Sequence, residues 1–224
     1  MVIDSRRIAK NTIFLYVRLI LVMGVQLYSS RVILDKMGAT DYGLYYVVFG
    51  VIGILSFLNG TLSSGTSRFI TFELGKGDKN RLRTTFSTTL ISHLLLTGII
   101  FILGETVGLW YAHNVMVVPE GRMEAAMIIY QISILSAIIT ILQVPFTSEI
   151  MAHEEMNVYA YLGIYEACAK LAVVFFIIHT SFDKLVFFSV LQCIVVFSVF
   201  CFYIWYSKKR FEEVTFKRYF NKEI

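Results

Sequence analysis

The chain has 224 residues, 57% of them hydrophobic, 15% aromatic and only 16% charged, with a mean hydropathy of +0.69. A soluble domain carries roughly a quarter charged residues, so this composition excludes an ordinary soluble fold and points to a polytopic helical membrane protein. The net charge of +4 comes from basic clusters beside apolar runs, and with no soluble lobe to present them a nucleic-acid partner is excluded.

Taken in chain order, six apolar runs predict six transmembrane helices over residues 12–34, 44–67, 86–111, 126–150, 157–179 and 185–206. They form one unit, residues 1–206, followed by a basic tail, 207–224, that reads as a linker or as an amphipathic helix on the membrane surface. The opening Ser5–Lys10 has two arginines but no cleavage site after it, so the first run reads as an uncleaved helix. The intervening segments are Asp35–Tyr42, Lys76–Arg83, His113–Glu124, His153–Met156 and Thr180–Lys184.

Lysine and arginine set the orientation. One set of segments holds Arg6, Arg7, Lys10, Arg68, Lys76, Lys79, Arg81, Arg83, Lys208, Lys209, Arg210, Lys217, Arg218 and Lys222. The alternate set holds Lys36, Arg122 and Lys184, a ratio of fourteen to three. Basic loops stay in the cytoplasm, so both termini are expected there, with the chain multi-pass in the cytoplasmic (inner) membrane.

Several of the runs carry a polar face. In the first, Asn11, Arg18 and Ser29 align, and in the second so do Gly53, Ser56, Gly60, Ser63 and Ser67, with Asn59 at the edge. The fourth repeats the pattern with Ser133, Ser136, Thr140, Gln143 and Thr147, and contains Pro145, a possible kink. The fifth places Tyr159, Gly163, Glu166 and Lys170 on one face. The sixth has only Ser189, Gln192 and Ser198 and reads as peripheral. Two explanations stay open for these stripes: small residues allow close helix packing, or the four faces together line a water-filled cavity.

Four ionisable residues fall inside predicted spans: Arg18, Glu105, Glu166 and Lys170. A charge at the bilayer centre costs about 2.5–3.5 kcal/mol even on the lenient insertion scale, so such residues usually face a bundle interior and mark function. Arg18 reads either as a counter-charge for Glu166 or Glu105 or as a contact for an anionic substrate, since a guanidinium binds phosphate bidentately. Glu166 and Lys170 are four apart, the spacing of a helical ion pair. Cys168, Cys193 and Cys201 lack metal or redox spacing. His93 and His179 stand isolated, and His113 and His153 sit between spans without a role. No catalytic motif, nucleotide fold or phosphate-binding loop is present, so the expectation is a non-enzyme with no catalytic residue, no cofactor and no metal site.

Three stretches carry a family resemblance: KNTIFLYVRLILVMGVQLYSSRVIL near the start, Gly38–Asp78 with its DYGLY and SRF-xxx-ELGKGD elements, and Gln143–Leu171. Across nearly its whole length the chain resembles the amino-terminal part of the Wzx-type polysaccharide biosynthesis flippases, in the superfamily that includes the multidrug and toxin extrusion (MATE) transporters. The resemblance implies an all-α membrane protein: six transmembrane helices forming one lobe of a two-lobed, MATE-like fold around a central cavity. It implies movement of an undecaprenyl-pyrophosphate-linked oligosaccharide across the membrane for polysaccharide or lipopolysaccharide synthesis. It also implies membrane lipid as surroundings, and a carboxy-terminal lobe or second subunit as partner. Arg18 matches a first-helix arginine and becomes a candidate substrate contact, with Lys170 beside it. Asn59, Ser63, Gln143 and Thr147 are candidate contacts for sugar or water. The alternatives are a cation-coupled antiporter of small organic solutes, with Glu105 or Glu166 as coupling carboxylate, and a non-transporting scaffold of polysaccharide assembly.

Overall fold

The computed structural model describes the backbone of residues 5–53, 56–178 and 180–214, and the side chains of 12–50, 60–178 and 180–214. Every regular element is helical: α1 (Ser5–Gly53), α2 (Ser56–Lys76), α3 (Lys79–Leu103), a π-helical turn (Gly104–Gly108), α4 (Leu109–Asn114), α5 (Met123–Ala152), α6 (Met156–Ile178) and α7 (Lys184–Arg210). Asn11, Gly53, Ser56 and Asn59 have side chains outside the described set, and His179 and residues 215–224 lie outside it altogether.

The first element is two arms, not one rod. Gly38 breaks it with φ 82° and ψ 162°, a conformation open essentially to glycine alone. Neighbours on either side show that the chain reverses there. In the first arm Phe14 packs on Tyr161 at 5.7 Å, while Lys36 lies at the start of α7, its carbonyl accepting from Lys184 Nζ at 3.0 Å. In the second arm Asp41 meets Asp183's partner Arg122, and Tyr45 packs on Phe188 at 5.0 Å. The second arm therefore runs alongside α7, and the first runs against it. The expected loop at Asp35–Tyr42 shrinks to this single residue, because both flanks carry helix to the turn.

Other boundaries follow local chemistry. Gly77, at φ 73°, ends α2, and Asp78 caps α3 by accepting from the backbone N–H groups of Asn80 and Arg81 at 3.0 and 3.1 Å. Asp183 caps α7 in the same way, accepting from Leu185 and Val186. The π turn has a specific filler: Tyr130 on α5 donates its hydroxyl to the Gly104 carbonyl at 2.7 Å, in the space that a Cβ on Gly108 would need.

α5 is the central helix. It packs against α1, α2, α3, α6 and α7, and its segment Val144–Ile150 is buried throughout. It continues as helix through Pro145. Leu185, Val199, Ile70, Val48, Ile129 and Val174 complete the interior, each at most 2% exposed. Large apolar side chains such as Ile20, Leu95, Trp110, Phe176 and Trp205 point outward. Lipid tails are as apolar as these side chains, so close packing around α5, rather than expulsion of water, holds the bundle.

Five stretches are long and apolar enough to cross a membrane: Thr12–Gly50, Lys79–Asn114, Met123–Ala152, Met156–Ile178 and Lys184–Arg210. Thr12–Gly50 turns back at Gly38, so this stretch holds two arms and not a single span. α2 itself is too polar to qualify alone. The third run is longer than expected, since the π turn and α4 extend it to Asn114. The last helix is not peripheral: α7 packs on both α5 and α6, and Ser189 is fully buried, donating to the Leu185 carbonyl at 2.9 Å.

The ends of the bundle are chemically distinct. At the hinge end Arg122 binds Asp41, with Nε 2.8 Å from Oδ1, and also pairs with Asp183, joining α1, α5 and α7. Its bond to Asp41 raises the Arg122 pKa further above the ordinary guanidinium value. Burial would lift the Asp183 carboxyl, but the Val186 N–H, Arg122 and the Leu185 N–H outweigh it and hold the pKa below 3.8. At the opposite end, Lys79 and Arg83 reach Glu212 at 3.3 and 3.8 Å, and Arg210 reaches Glu155 at 3.1 Å. The alternation of basic and less basic segments read from the sequence thus corresponds to two real ends of the molecule.

Candidate functional site: a groove between α1, α6 and α7

Both arms of α1, with α6 and α7, enclose a groove of about 760 Å³. The first arm contributes Arg18, Gln26 and Ser29, the second Tyr45 and Phe49. α6 contributes Gly163, Glu166 and Lys170, and α7 contributes Phe188 and Gln192. Helical spacing explains the convergence. Gly163, Glu166, Ala167 and Lys170 recur at three and four residues and share one face of α6, and Arg18, Val22, Gln26, Ser29 and Ile33 do the same on α1.

Arg18 is the centre of this groove. Its guanidinium carbon sits 4.3 Å from the centroid of the Tyr159 ring. Its Nε is buried in the notch left by Gly163 and has no hydrogen-bond partner. A Cβ at Gly163 would collide with Nε and stand 2.8 Å from Cδ. Glycine at 163 is therefore what lets the arginine lie against α6. Tyr203 on α7 is within electrostatic range of both Arg18 and Glu166.

Glu166 is taken by Lys170, with Oε1 2.6 Å from Nζ. Among the described residues no carboxylate lies within ion-pair distance of Arg18, so the counter-charge reading open from the sequence is not the arrangement found. The three charged groups leave the groove with one formal positive charge in excess. Stacking on Tyr159 offsets about 0.5–2 kcal/mol of the arginine's cost, against about 2.5–3.5 kcal/mol for insertion, so a polar requirement remains at this spot.

The other candidates lie elsewhere. Glu105 is on the π turn, 3.4 Å from Gln131 Nε2, and does not line the groove. Ser63 faces α5, its carbonyl accepting from Ser148 Oγ at 3.4 Å. On α5, Ser133, Ser136, Thr140 and Thr147 all donate to carbonyls one turn back on their own helix, at 2.7, 2.8, 2.8 and 2.9 Å. Gln143, Thr147 and Ser63 are absent from the groove lining. α2 and α5 pack on each other, while residues of the α1 and α6 faces line the groove. Gln192, from the span read as peripheral, lines the groove too, and Tyr45, Phe49 and Phe188, not singled out from sequence, complete it. Their signal was hidden because aromatic residues in a membrane span read as lipid-facing.

A second cluster also escaped the sequence reading. Glu149 and His153 are four apart on the end of α5, and Glu213 follows α7. The first two were legible as a helical pair, but Glu213 is sixty positions from His153 and only the fold brings it there.

No family model and no curated protein matches the sequence. Solved structures do match by shape. An outward-facing multidrug resistance MATE family transporter of the MOP superfamily superposes with TM-score 0.75 at 18% identity, covering 96% of this chain and 49% of that one. A crystal structure of MATE in complex with MaL6 gives TM-score 0.75 at 17% identity, covering 95% and 48%. A MOP superfamily transporter from Pyrococcus furiosus, described as having a binding pocket of reverse polarity, gives 0.69 at 16%, covering 95% and 46%. The chain spans about half the length of the structures it matches, and its fold is that of one lobe of a MATE transporter.

Proposed function

We propose that this chain serves as one lobe of a flippase for an undecaprenyl-pyrophosphate-linked oligosaccharide, acting in polysaccharide or lipopolysaccharide synthesis at the cytoplasmic membrane. A second lobe, in the same polypeptide or another, supplies the facing wall. The observation that carries this reading is Arg18: a half-buried guanidinium with no carboxylate at ion-pair distance among the described residues, lining a 760 Å³ groove. A pyrophosphate offers oxygens that such a group binds bidentately, and a low-dielectric groove strengthens the attraction. Lys170 adds positive charge on the same wall while its partner Glu166 keeps it placed. Gln26, Ser29 and Gln192 provide hydrogen-bonding groups for sugar or water along the groove.

The test is export of surface polysaccharide by cells that depend on the protein in its full-length setting. Arg18→Ala should insert normally and lose export, and Arg18→Lys should recover it only in part, because an ammonium cannot replace a planar fork. Wild-type export by Arg18→Ala would overturn the proposal. Loss of drug efflux driven by a pH gradient, with polysaccharide intact, would favour the antiporter reading instead.

A further inference from the structure

The cluster at the far end of α5 lies away from the groove and has its own chemistry. One ligand atom each from Glu149, His153 and Glu213 lies within 4.8 Å of the others. His153 Nε2 stands 3.2 Å from Glu149 Oε1 and 2.7 Å from Glu213 Oε1. In a tetrahedral site with metal–ligand bonds of about 2.0–2.1 Å, neighbouring ligand atoms stand about 3.3 Å apart, so the spacing is already close to that of a coordinated set.

Hydrogen bonding within this cluster still leaves one buried oxygen unmet. A single ring nitrogen faces two carboxylates and can donate one proton at most. Glu149 is completely buried, and its Oε2 has no hydrogen-bond partner. A buried carboxylate with a free oxygen is costly unless a cation reaches it. The nearby cations are engaged by other acids: Lys79 and Arg83 with Glu212, and Arg210 with Glu155. The imidazole is meanwhile held in place by Phe211, stacked on it at 4.2 Å with the planes 15° apart.

We propose that Glu149, His153 and Glu213 bind a divalent first-row transition cation, which pins the chain following α7 to the end of α5. Imidazole nitrogen suits zinc and its neighbours, and two carboxylates neutralise the charge of a dication. A cavity of about 430 Å³, lined by His153 and Glu213 among others, leaves a side open for entry and for a water as fourth ligand. None of the three ligands lines the groove, so this inference stands apart from the proposed transport.

The experiment uses the full chain in lipid nanodiscs, stripped with a chelator and dialysed against Zn²⁺, with metal measured per chain. Saturation at one ion per chain is expected, with a rise in melting temperature. Glu149→Gln, His153→Ala and Glu213→Gln should each weaken binding beyond the roughly 10–100-fold that loss of an outer-shell partner costs. Glu212→Gln, one residue away on the same strap, should bind as wild type. Glu213→Gln lies outside the packed helices and keeps the test open should Glu149→Gln fail to fold. Absence of saturable binding in wild type, or equal binding in wild type and Glu213→Gln, would overturn the proposal.

Discussion

Gly163→Ala separates the arginine's placement from the stability of the fold. The added methyl would meet Arg18 Nε and lie 2.8 Å from Cδ and 2.9 Å from Cζ, where carbon atoms normally rest about 3.5–4.0 Å apart. The displaced atoms are near the end of a flexible side chain, so the arginine moves and the backbone does not. The move takes the guanidinium off Tyr159, from its 4.3 Å stacking distance. A cation–π contact contributes about 0.5–2 kcal/mol, so the affinity of the groove for a pyrophosphate probe should fall by about 2- to 30-fold. Thermal stability should hold or rise, because alanine is favoured over glycine inside a helix by about 0.8–1.0 kcal/mol. Titration of the purified chain with inorganic pyrophosphate, beside melting curves, reads both effects. If Arg18→Ala abolishes binding while Gly163→Ala leaves it unchanged, the notch and the stack do not position the arginine. If neither changes it, the groove is not the anion site.

Further outcomes follow from other parts of the molecule. Gly38→Ala meets no atom within 4 Å but must adopt φ 82°, so it should lower stability by about 1–3 kcal/mol through torsion alone, read by chemical or thermal unfolding in detergent. Arg122→Ala frees Asp41 and Asp183 at once and should cost about 1–3 kcal/mol in the same assay. The Asp183 pKa is lowered in the fold, so its stabilising contribution is complete above pH 3.8 and disappears as pH falls through its folded value. Asp183→Asn should therefore melt below wild type at neutral pH, with the gap closing below that point. Thr140→Val should change stability by less than about 1 kcal/mol, because the lost bond runs only to the carbonyl of Ser136 on its own helix; a large loss would mean that the α5 hydroxyls do more than pack.

Composition and basic-residue placement made the membrane architecture legible, and the structure follows them closely. Lys36, Arg122 and Lys184 do gather at one end, and Lys79 and Arg210 at the other. Arg18, Glu105, Glu166 and Lys170 stand out in the sequence because charge inside an apolar run is conspicuous, and helical spacing aligns Glu166 with Lys170. Partner choice was not legible. Periodicity places Ser133 and Thr140 on a face, but it does not say whether that face meets a cavity or another helix. Their hydroxyls turn back to local carbonyls, an option every helical serine or threonine has. The turn at Gly38 was read as an eight-residue loop, since a single residue with positive φ leaves no composition signal beyond the glycine itself. The Glu213 contact depends on how α7 packs on α5, which no local pattern encodes.

The π turn at Gly104–Gly108 has a consequence for chain length. A π turn holds one residue more than the α-helical turn it replaces. Deleting Val107 would let the Lys79–Asn114 rod close as continuous α-helix, with no strand of hydrogen bonds lost. Everything beyond it would keep nearly the same phase, because the shortened turn still closes one revolution. Ala112, now 1% exposed, would go on facing the interior. Tyr130 would lose the recess it fills beside Gly108. A one-codon deletion here would thus keep the helix and its facing while closing the recess on Tyr130.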